Sequence, residues 1–291
     1  MTAPFSVSKP FQNFDAAAAE KKIITFIRRT VENSGSKGVV LGLSGGIDSA
    51  LVAALSAAAL GAKNVHPIFF DSAEIGHACS NEAVSNDFKD AALLCDQFGL
   101  TLQKINLLPT FEAAVSSFDF SDSSPNFAKS LTSQGNLKSR LHMSLLYYYA
   151  NNSNLLVIGT INKTERLTGY FTKYGDSGVD LDPIADLYKT EVRLLSQHMN
   201  LPESILTKAP SAGFWKDQSD EADFGIRYEQ LDYLLYEIEK NGIKKSKSAD
   251  TKKFGKILER MHLTENQYHS VIGRMKSAGH KQKLPKYPKI S

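Results

Sequence analysis

With two cysteines and one tryptophan in 291 residues, the chain has little material for several kinds of chemistry. Cys79 and Cys95 form neither a CxxC pair nor a metal-ligand spacing, which argues against disulfide scaffolding and structural zinc; both thiols are expected to be small buried hydrophobes. No apolar run approaches the length of a membrane span, and Met1 to Pro10 lacks the basic start and apolar centre of a secretory signal, so the expected setting is the cytoplasm with no membrane contact. The Walker A pattern G-x-x-x-x-G-K-[ST] and the dinucleotide fingerprint G-x-G-x-x-G are missing too. Charge of one sign is scarce: 34 Lys and Arg against 31 Asp and Glu give a net charge of +3, and no nucleic-acid partner is expected. The lysines between Lys240 and Lys256 read as a solvated face. No internal repeat is present.

What the chain has is alternation. Ile23, Ile24, Ile27 and Val31 fall at helical spacing and predict a first helix that stops near Asn33-Ser34-Gly35. Strand signals at Gly38–Leu43, Val65–Phe70, Thr101–Leu107 and Leu155–Gly159 are separated by helical patterns at Ala50–Leu60, Ala83–Cys95, Phe111–Phe118 and Leu137–Ala150. Parallel strands need long crossovers, and helices supply them, so the expected fold class is α/β: a doubly wound parallel sheet with helices on both faces. Further helices are predicted at Asp186–Met199 and Tyr228–Glu239. A single domain spanning 1–291 is expected, with mobile loops at about 121–134 and 207–223 and a basic C-terminal tail from about 279 to 291.

Between the first strand and the second helix lies Ser44-Gly45-Gly46-Ile47-Asp48-Ser49. A glycine turn in that context gathers free backbone N–H groups and the positive end of a helix dipole, which suits a phosphate. A plain turn explains the glycines and Ser49 but not Asp48, a negative charge placed where an anion would dock. A divalent cation bridging Asp48 to the phosphates, as oxygen-ligated Mg²⁺ does, accounts for it. Thr160 to Pro183, dense in Gly, Asp, Lys and Thr, is irregular for a compact domain and is expected to be functional.

These residues resemble a known family. Ser-Gly-Gly-Ile-Asp-Ser is similar to the pyrophosphate loop of the ATP pyrophosphatases, which cleave ATP between its α- and β-phosphates and place AMP on a carbonyl or carboxylate oxygen. Gly159-Thr160-Ile161-Asn162-Lys163-Thr164-Glu165, Gly169 to Asp176, and Asp182 to Thr190 resemble the NAD synthetases within that superfamily. Gly135 to Arg140, Lys208 to Trp215 with Gln218, Asp220 and Glu221, and His280-Lys281 agree with them, while Asp71 to Gln134 offers the fewest matches.

The resemblance implies that ATP and Mg²⁺ activate the nicotinate carboxylate of deamido-NAD as an acyl-adenylate, which ammonia converts to the amide. It implies ATP contacts from Ser44, Gly45, Gly46, Ile47, Asp48, Ser49, Thr160, Lys189 and Ser211, and a metal held by Asp48 and Glu165. Deamido-NAD would be held by Arg140, Lys173, Asp180, His280 and Lys281. Asp48 and Lys189 would be catalytic, with Asp176 steering ammonia or accepting a proton. Only some forty residues precede the phosphate loop, too few for an amidohydrolase domain, so free ammonia is the expected nitrogen donor. A homodimer is implied, and the apolar stretch Leu145, Leu146 and Tyr147 is expected to serve that contact. Two rivals are weaker: a tRNA-modifying pyrophosphatase would need a cysteine pair or an RNA-binding module, and the sequence shows neither, while intact Asp48, Glu165 and Lys189 argue against a regulatory protein that binds the nucleotide without turning it over.

Overall fold

The computed structural model describes residues 9–71, 81–118, 131–211, 219–240, 255, 258–259, 261–285 and 288. Four strands, β1(Val39–Gly42), β2(Val65–Asp71), β3(Gln103–Asn106) and β4(Leu156–Val157), form a sheet in the order β3-β2-β1-β4, with every pairing parallel. The chain winds outward from β1 through β2 to β3 and then returns to lay β4 on the other side of β1. The winding therefore reverses between β1 and β4, and a crevice opens there beyond the carboxyl ends of the strands.

Alternate residues of β1 face opposite layers, as strand geometry requires. Val39, Leu41 and Leu43 join a core with α1(Ala16–Ser34), α2(Ile47–Leu60) and α7(Lys189–His198), whereas Val40 joins Leu146 and Ala150 of α5(Leu131–Ser153) on the other face. The expected two-faced α/β sheet is thus present. Helix α1 begins at an Asp15 cap whose side chain accepts from the Ala18 N–H, and ends at Gly35 with φ +68°. Helix α2 is apolar almost all round and is accordingly buried.

A second core lies outside the sheet. Phe11 and Tyr188 pack with Phe224 of α9(Asp220–Phe224), Tyr228, Leu231 and Leu235 of α10(Tyr228–Lys240), and Tyr268, Val271 and Met275 of α11(Glu265–Ser277). The remaining helices are α3(Asn81–Phe98), α4(Leu108–Ser116), α6(Lys163–Thr168) and α8(Glu203–Leu206).

Two expectations change. Helix α5 starts at Leu131 rather than Leu137 and runs through Gly135, so the expected loop is shorter at this end; one helical glycine costs only about 1 kcal/mol, which packing of α5 on the sheet can outweigh. Leu146 is buried against the sheet, not on an outer face; Tyr148 is the exposed aromatic of this helix, 71% exposed. Tyr147 and Tyr149 are committed to Asp180 and His66. Cys95 is buried and unpaired, as expected, while Cys79, Trp215 and most of the Lys240–Lys256 run lie outside the described residues. Among the described residues no helix is long and apolar enough to cross a membrane.

Candidate active site

The glycine loop leaves β1 at Gly42, and α2 begins at Ile47 with Gly46 as its cap. Gly45 has φ +76°, and a Cβ there would lie 2.4 Å from the Asp87 carbonyl oxygen, so both conformation and close approach require glycine. Two hydroxyls brace the turn: Ser49 Oγ donates to the Gly46 carbonyl at 3.0 Å and accepts from the Ser44 N–H at 3.2 Å, while the Gly46 N–H donates to Ser44 Oγ at 3.3 Å. The first N–H groups of α2 have no partner within the helix and face the crevice with the helix dipole behind them.

Asp48 stands in the first turn of α2. Its Oδ1 accepts from Asn162 Nδ2 at 3.0 Å, and its Oδ2 forms an ion pair with Lys189 Nζ. Asn162 caps α6 and closes a capping box with Glu165, whose Oε2 accepts the Asn162 N–H at 3.2 Å. This places Glu165 Oε1 3.9 Å from the same Lys189 ammonium. The adjacency of β1 and β4 therefore brings Asp48, Asn162, Glu165 and Lys189 together, and Lys189, only 3% exposed, is no surface lysine.

With both carboxyls ionised, the cluster would set two negative charges against the single positive charge of Lys189. Burial, reinforced by Asp48, drives the Glu165 carboxyl well above its usual pKa despite the opposing pull of Lys189. Burial works against the Lys189 charge, but Asp48 and Glu165 outweigh it and hold its pKa above the ordinary lysine value. Asp220, which accepts from Tyr228 and Tyr170, adds to the negative field. An additional cation would relieve this imbalance. No three His, Cys, Asp or Glu side chains converge in a metal-holding group among the described residues; two carboxylates and substrate phosphates are nonetheless enough for Mg²⁺, which keeps several waters.

A cavity of about 730 Å³ joins these groups to the rest of the crevice. Ser44, Gly46, Ile47, Asp48, Ser49, Thr160, Glu165, Lys189 and Ser211 line it around the glycine loop, and Asp176, Arg274 and Lys281 line it elsewhere. Asp176 Oδ1 accepts from the Thr172 N–H at 2.8 Å and from Ser139 Oγ at 3.1 Å. Asp176 is accessible from the cavity but surrounded by protein, and the loss of bulk water raises its carboxyl pKa against those hydrogen bonds.

Arg140, Lys173, Asp180 and His280 do not line that cavity. Arg140 Nε donates to the Lys173 carbonyl at 3.3 Å, and Lys173 Nζ donates to the His280 carbonyl at 2.9 Å, so these three are gathered beside Lys281. Lys281 Nζ donates to the carbonyls of Gly169 and Phe171 at 2.8 and 2.7 Å. Asp180 stands apart, accepting from Tyr147 Oη and from the Val157 N–H. The tail residues near 280 are docked, and Gly169 is where they press closest: a Cβ there would lie 2.5 Å from Ala278 Cβ.

Asn162 and Asp232 were given no role from sequence. The N-x-x-E spacing of Asn162 and Glu165 is a capping-box signature that places both at the start of a helix. Asp232 carried no such signal. It is wholly buried in α10, accepts from Thr164 Oγ1 and from the Thr190 N–H at 2.7 Å, and so fixes the start of α7; Thr164 Oγ1 in turn accepts the Lys189 N–H at 3.0 Å.

Comparison with known proteins agrees with this geometry. The NAD synthase family model matches residues 19–285. An NH₃-dependent NAD⁺ synthetase of Methanosarcina mazei is 42% identical over 276 residues, covering 95% of this chain and 99% of its own length, and one of Thermococcus sibiricus is 38% identical, covering 96% and 100%. Among solved structures, an NMN synthetase from Francisella tularensis matches with a TM-score of 0.77 and 29% identity, covering 96% of this chain and 100% of that one. An NH₃-dependent NAD synthetase from Campylobacter jejuni matches with a TM-score of 0.71 and 32% identity, covering 95% and 100%. A glycine loop at the switch point, facing a buried Asp–Lys–Glu cluster in a chain that matches relatives over nearly its whole length, leads to one assignment: the chain belongs to the NAD synthase family.

Proposed function

We propose that this chain amidates the nicotinate carboxylate of deamido-NAD with ammonia, at the cost of ATP cleaved to AMP and pyrophosphate. The observation that carries the proposal is the Asp48–Lys189–Glu165 cluster facing the phosphate loop within one cavity. A carboxylate is a poor electrophile, because attack adds charge to an anion and expels an oxide-like group. Its oxygen attacks the α-phosphorus of ATP, the bond from that phosphorus to the bridging oxygen breaks, and pyrophosphate leaves with the bonding pair. The loop amides and Lys189 stabilise the charge gathered on the pyrophosphate, while Thr160 and Ser211 hold the nucleotide. Mg²⁺, held by Asp48 and Glu165, would neutralise phosphate charge when bound.

Ammonia then attacks the acyl carbon of the adenylate, the C–O bond breaks and AMP departs. Asp176, whose raised pKa suits a base, accepts the proton that nitrogen loses. No protein nucleophile is needed; the chain aligns the reacting groups and excludes water. Arg140, Lys173, Asp180, His280 and Lys281 bind the dinucleotide, with the docked 278–282 segment covering it. We place the enzyme in the cytoplasm as a homodimer, with exposed Tyr148 on the outer side of α5 as a contact.

The test follows NAD, AMP and pyrophosphate together in purified protein given ATP, Mg²⁺, deamido-NAD and either ammonium or glutamine. Equal amounts of NAD and AMP with ammonium are expected; ATP cleavage only with another carboxylate or RNA would refute the substrate. The likeness to an NMN synthetase favours one second reading, amidation of nicotinate mononucleotide. Offering that compound at equal concentration separates the two by kcat/KM.

A further inference from the structure

The segment following α8 carries Lys208 into the cavity wall beside Ala209, Pro210 and Ser211. Its ammonium is engaged away from Asp48: it donates to Asp90 Oδ2 at 2.8 Å, to Asp87 Oδ1 in a closer contact, and to the Gly45 carbonyl oxygen at 3.3 Å. These acceptors belong to two separate elements, α3 and the phosphate loop. The same helix presses on the loop through its backbone, since the Asp87 carbonyl occupies the space a Gly45 side chain would need. Burial works against the charge on Lys208, but Asp87 and Asp90 outweigh it and keep the ammonium protonated.

We propose that Lys208 is a positioning residue for the ATP site, tying the phosphate loop and the Ser211 segment to α3 through Asp87 and Asp90. Amides fixed before the triphosphate arrives bind it with less ordering cost. Lys208 thus acts through the loop geometry and not as a phosphate ligand. The inference rests on the reading that residues 44–49 hold the phosphates of ATP.

The two roles give opposite results for the acids. Electrostatics alone makes removal of two carboxylates beside a triphosphate site tighten ATP binding; a positioning role makes it weaken. Lys208→Met, Lys208→Arg and the pair Asp87→Asn/Asp90→Asn are compared in the full chain by KM for ATP, KM for deamido-NAD, kcat and calorimetric ATP binding. Lys208→Met is expected to raise KM for ATP roughly tenfold, the size of a lost charge-assisted hydrogen bond, and to leave KM for deamido-NAD within about twofold. Lys208→Arg recovers most of that loss, and the acid pair reproduces it. Unchanged or tighter ATP binding in the acid pair overturns the proposal, as does an unchanged KM for ATP in Lys208→Met. If Lys208→Met does not fold, the acid pair decides alone, because the Asp87 side chain is 45% exposed and asparagine keeps the size of the less exposed Asp90. Wild-type protein that binds ATP yet makes no NAD would refute the proposed function and leave the calorimetric comparison intact.

Discussion

The side of the cavity next to β1 is built mainly from local elements: a glycine turn, the first amides of α2, Asp48 in the first turn of that helix, and Glu165 held by the capping box of α6. Elsewhere the cavity includes side chains from the far end of the chain, Arg274 and Lys281, in a segment held by its own bonds. Arg274 donates to the Asp223 carbonyl, Gln282 to the Arg166 carbonyl, and Lys281 to Gly169 and Phe171. A local site is fixed once the strand, turn and helix form, because the chain's covalent geometry brings its atoms together. A side-chain wall exists only after the second core has assembled around Tyr228 and Tyr268 and carried α11 to the crevice. Damage to the first wall should therefore abolish activity, and damage to the second should weaken the hold on one substrate.

The largest effect is expected from Asp48→Ala. It leaves the loop backbone intact but removes the partner of Lys189 and one of the two carboxylates proposed for the cation. Adenylation, followed as pyrophosphate release, should fall by roughly 10³-fold while the circular dichroism spectrum is retained. Full activity in this variant would remove the account of both walls, since the local side would then contribute binding without chemistry.

Next comes Gly45→Ala. The added methyl group meets the Asp87 carbonyl at 2.4 Å in a residue held at φ +76°, so either the loop or α3 must move. A stability loss of about 1–3 kcal/mol is expected, with ATP binding weakened by more than the Lys208 substitutions weaken it. Calorimetric titration with ATP measures the second effect directly, and wild-type affinity would show that the amides need no fixed geometry.

The same contrast decides what could be read from sequence. The strand–turn–helix context of Ser44 to Ser49 was legible because each ingredient is local, and Asp48 stood out there as an acid in the first turn of the helix. The α/β class followed from the alternation of strand and helix signals, whereas the β1–β4 neighbourhood that brings Glu165 to Asp48 is a matter of strand order that no local pattern states. Lys189 was recognisable by motif, but its near-total burial was not, because that depends on Asp48, Glu165 and Tyr228 arriving from three other elements. Asp232 and Arg274 gave no local signal at all. Their partners lie 42 and 51 residues away, and only packing of the second core makes them neighbours. Leu146 shows the converse error: an apolar helix stretch does not say which of its faces meets the sheet.

On the side-chain wall, Lys281→Met removes both hydrogen bonds that hold the tail segment onto Gly169 and Phe171. KM for deamido-NAD should rise roughly tenfold, the scale of a charge-assisted hydrogen bond, with KM for ATP unchanged. Steady-state kinetics with each substrate varied in turn checks this. A rise in both constants would mean that the two walls are mechanically one and would end the distinction drawn between them.

The smallest effect on activity, and the clearest on stability, is expected at Asp182, which lies behind the β4 end and does not line the cavity. Burial pushes its carboxyl from 3.8 up to about 7, the charges of Asp176 and Asp48 add to this, and Arg166 and the Ile161 N–H oppose it. One oxygen, Oδ1, is buried with no hydrogen-bond partner among the described residues. The sign follows from proton counting: below 3.8 both folded and unfolded chains hold the proton, and between 3.8 and about 7 the folded chain alone does. Stability from this group is therefore greatest in acid and is lost as pH rises through that window. Asp182→Asn cannot ionise and can still accept from Ile161, so it should be more stable than wild type at pH 8, by on the order of 2 kcal/mol, with the advantage fading as pH falls through the same window. Denaturant midpoints across the pH range measure it. A gain independent of pH would show that Asp182 is charged to the same extent in both states, and that the crevice is wetter behind β4 than its packing indicates.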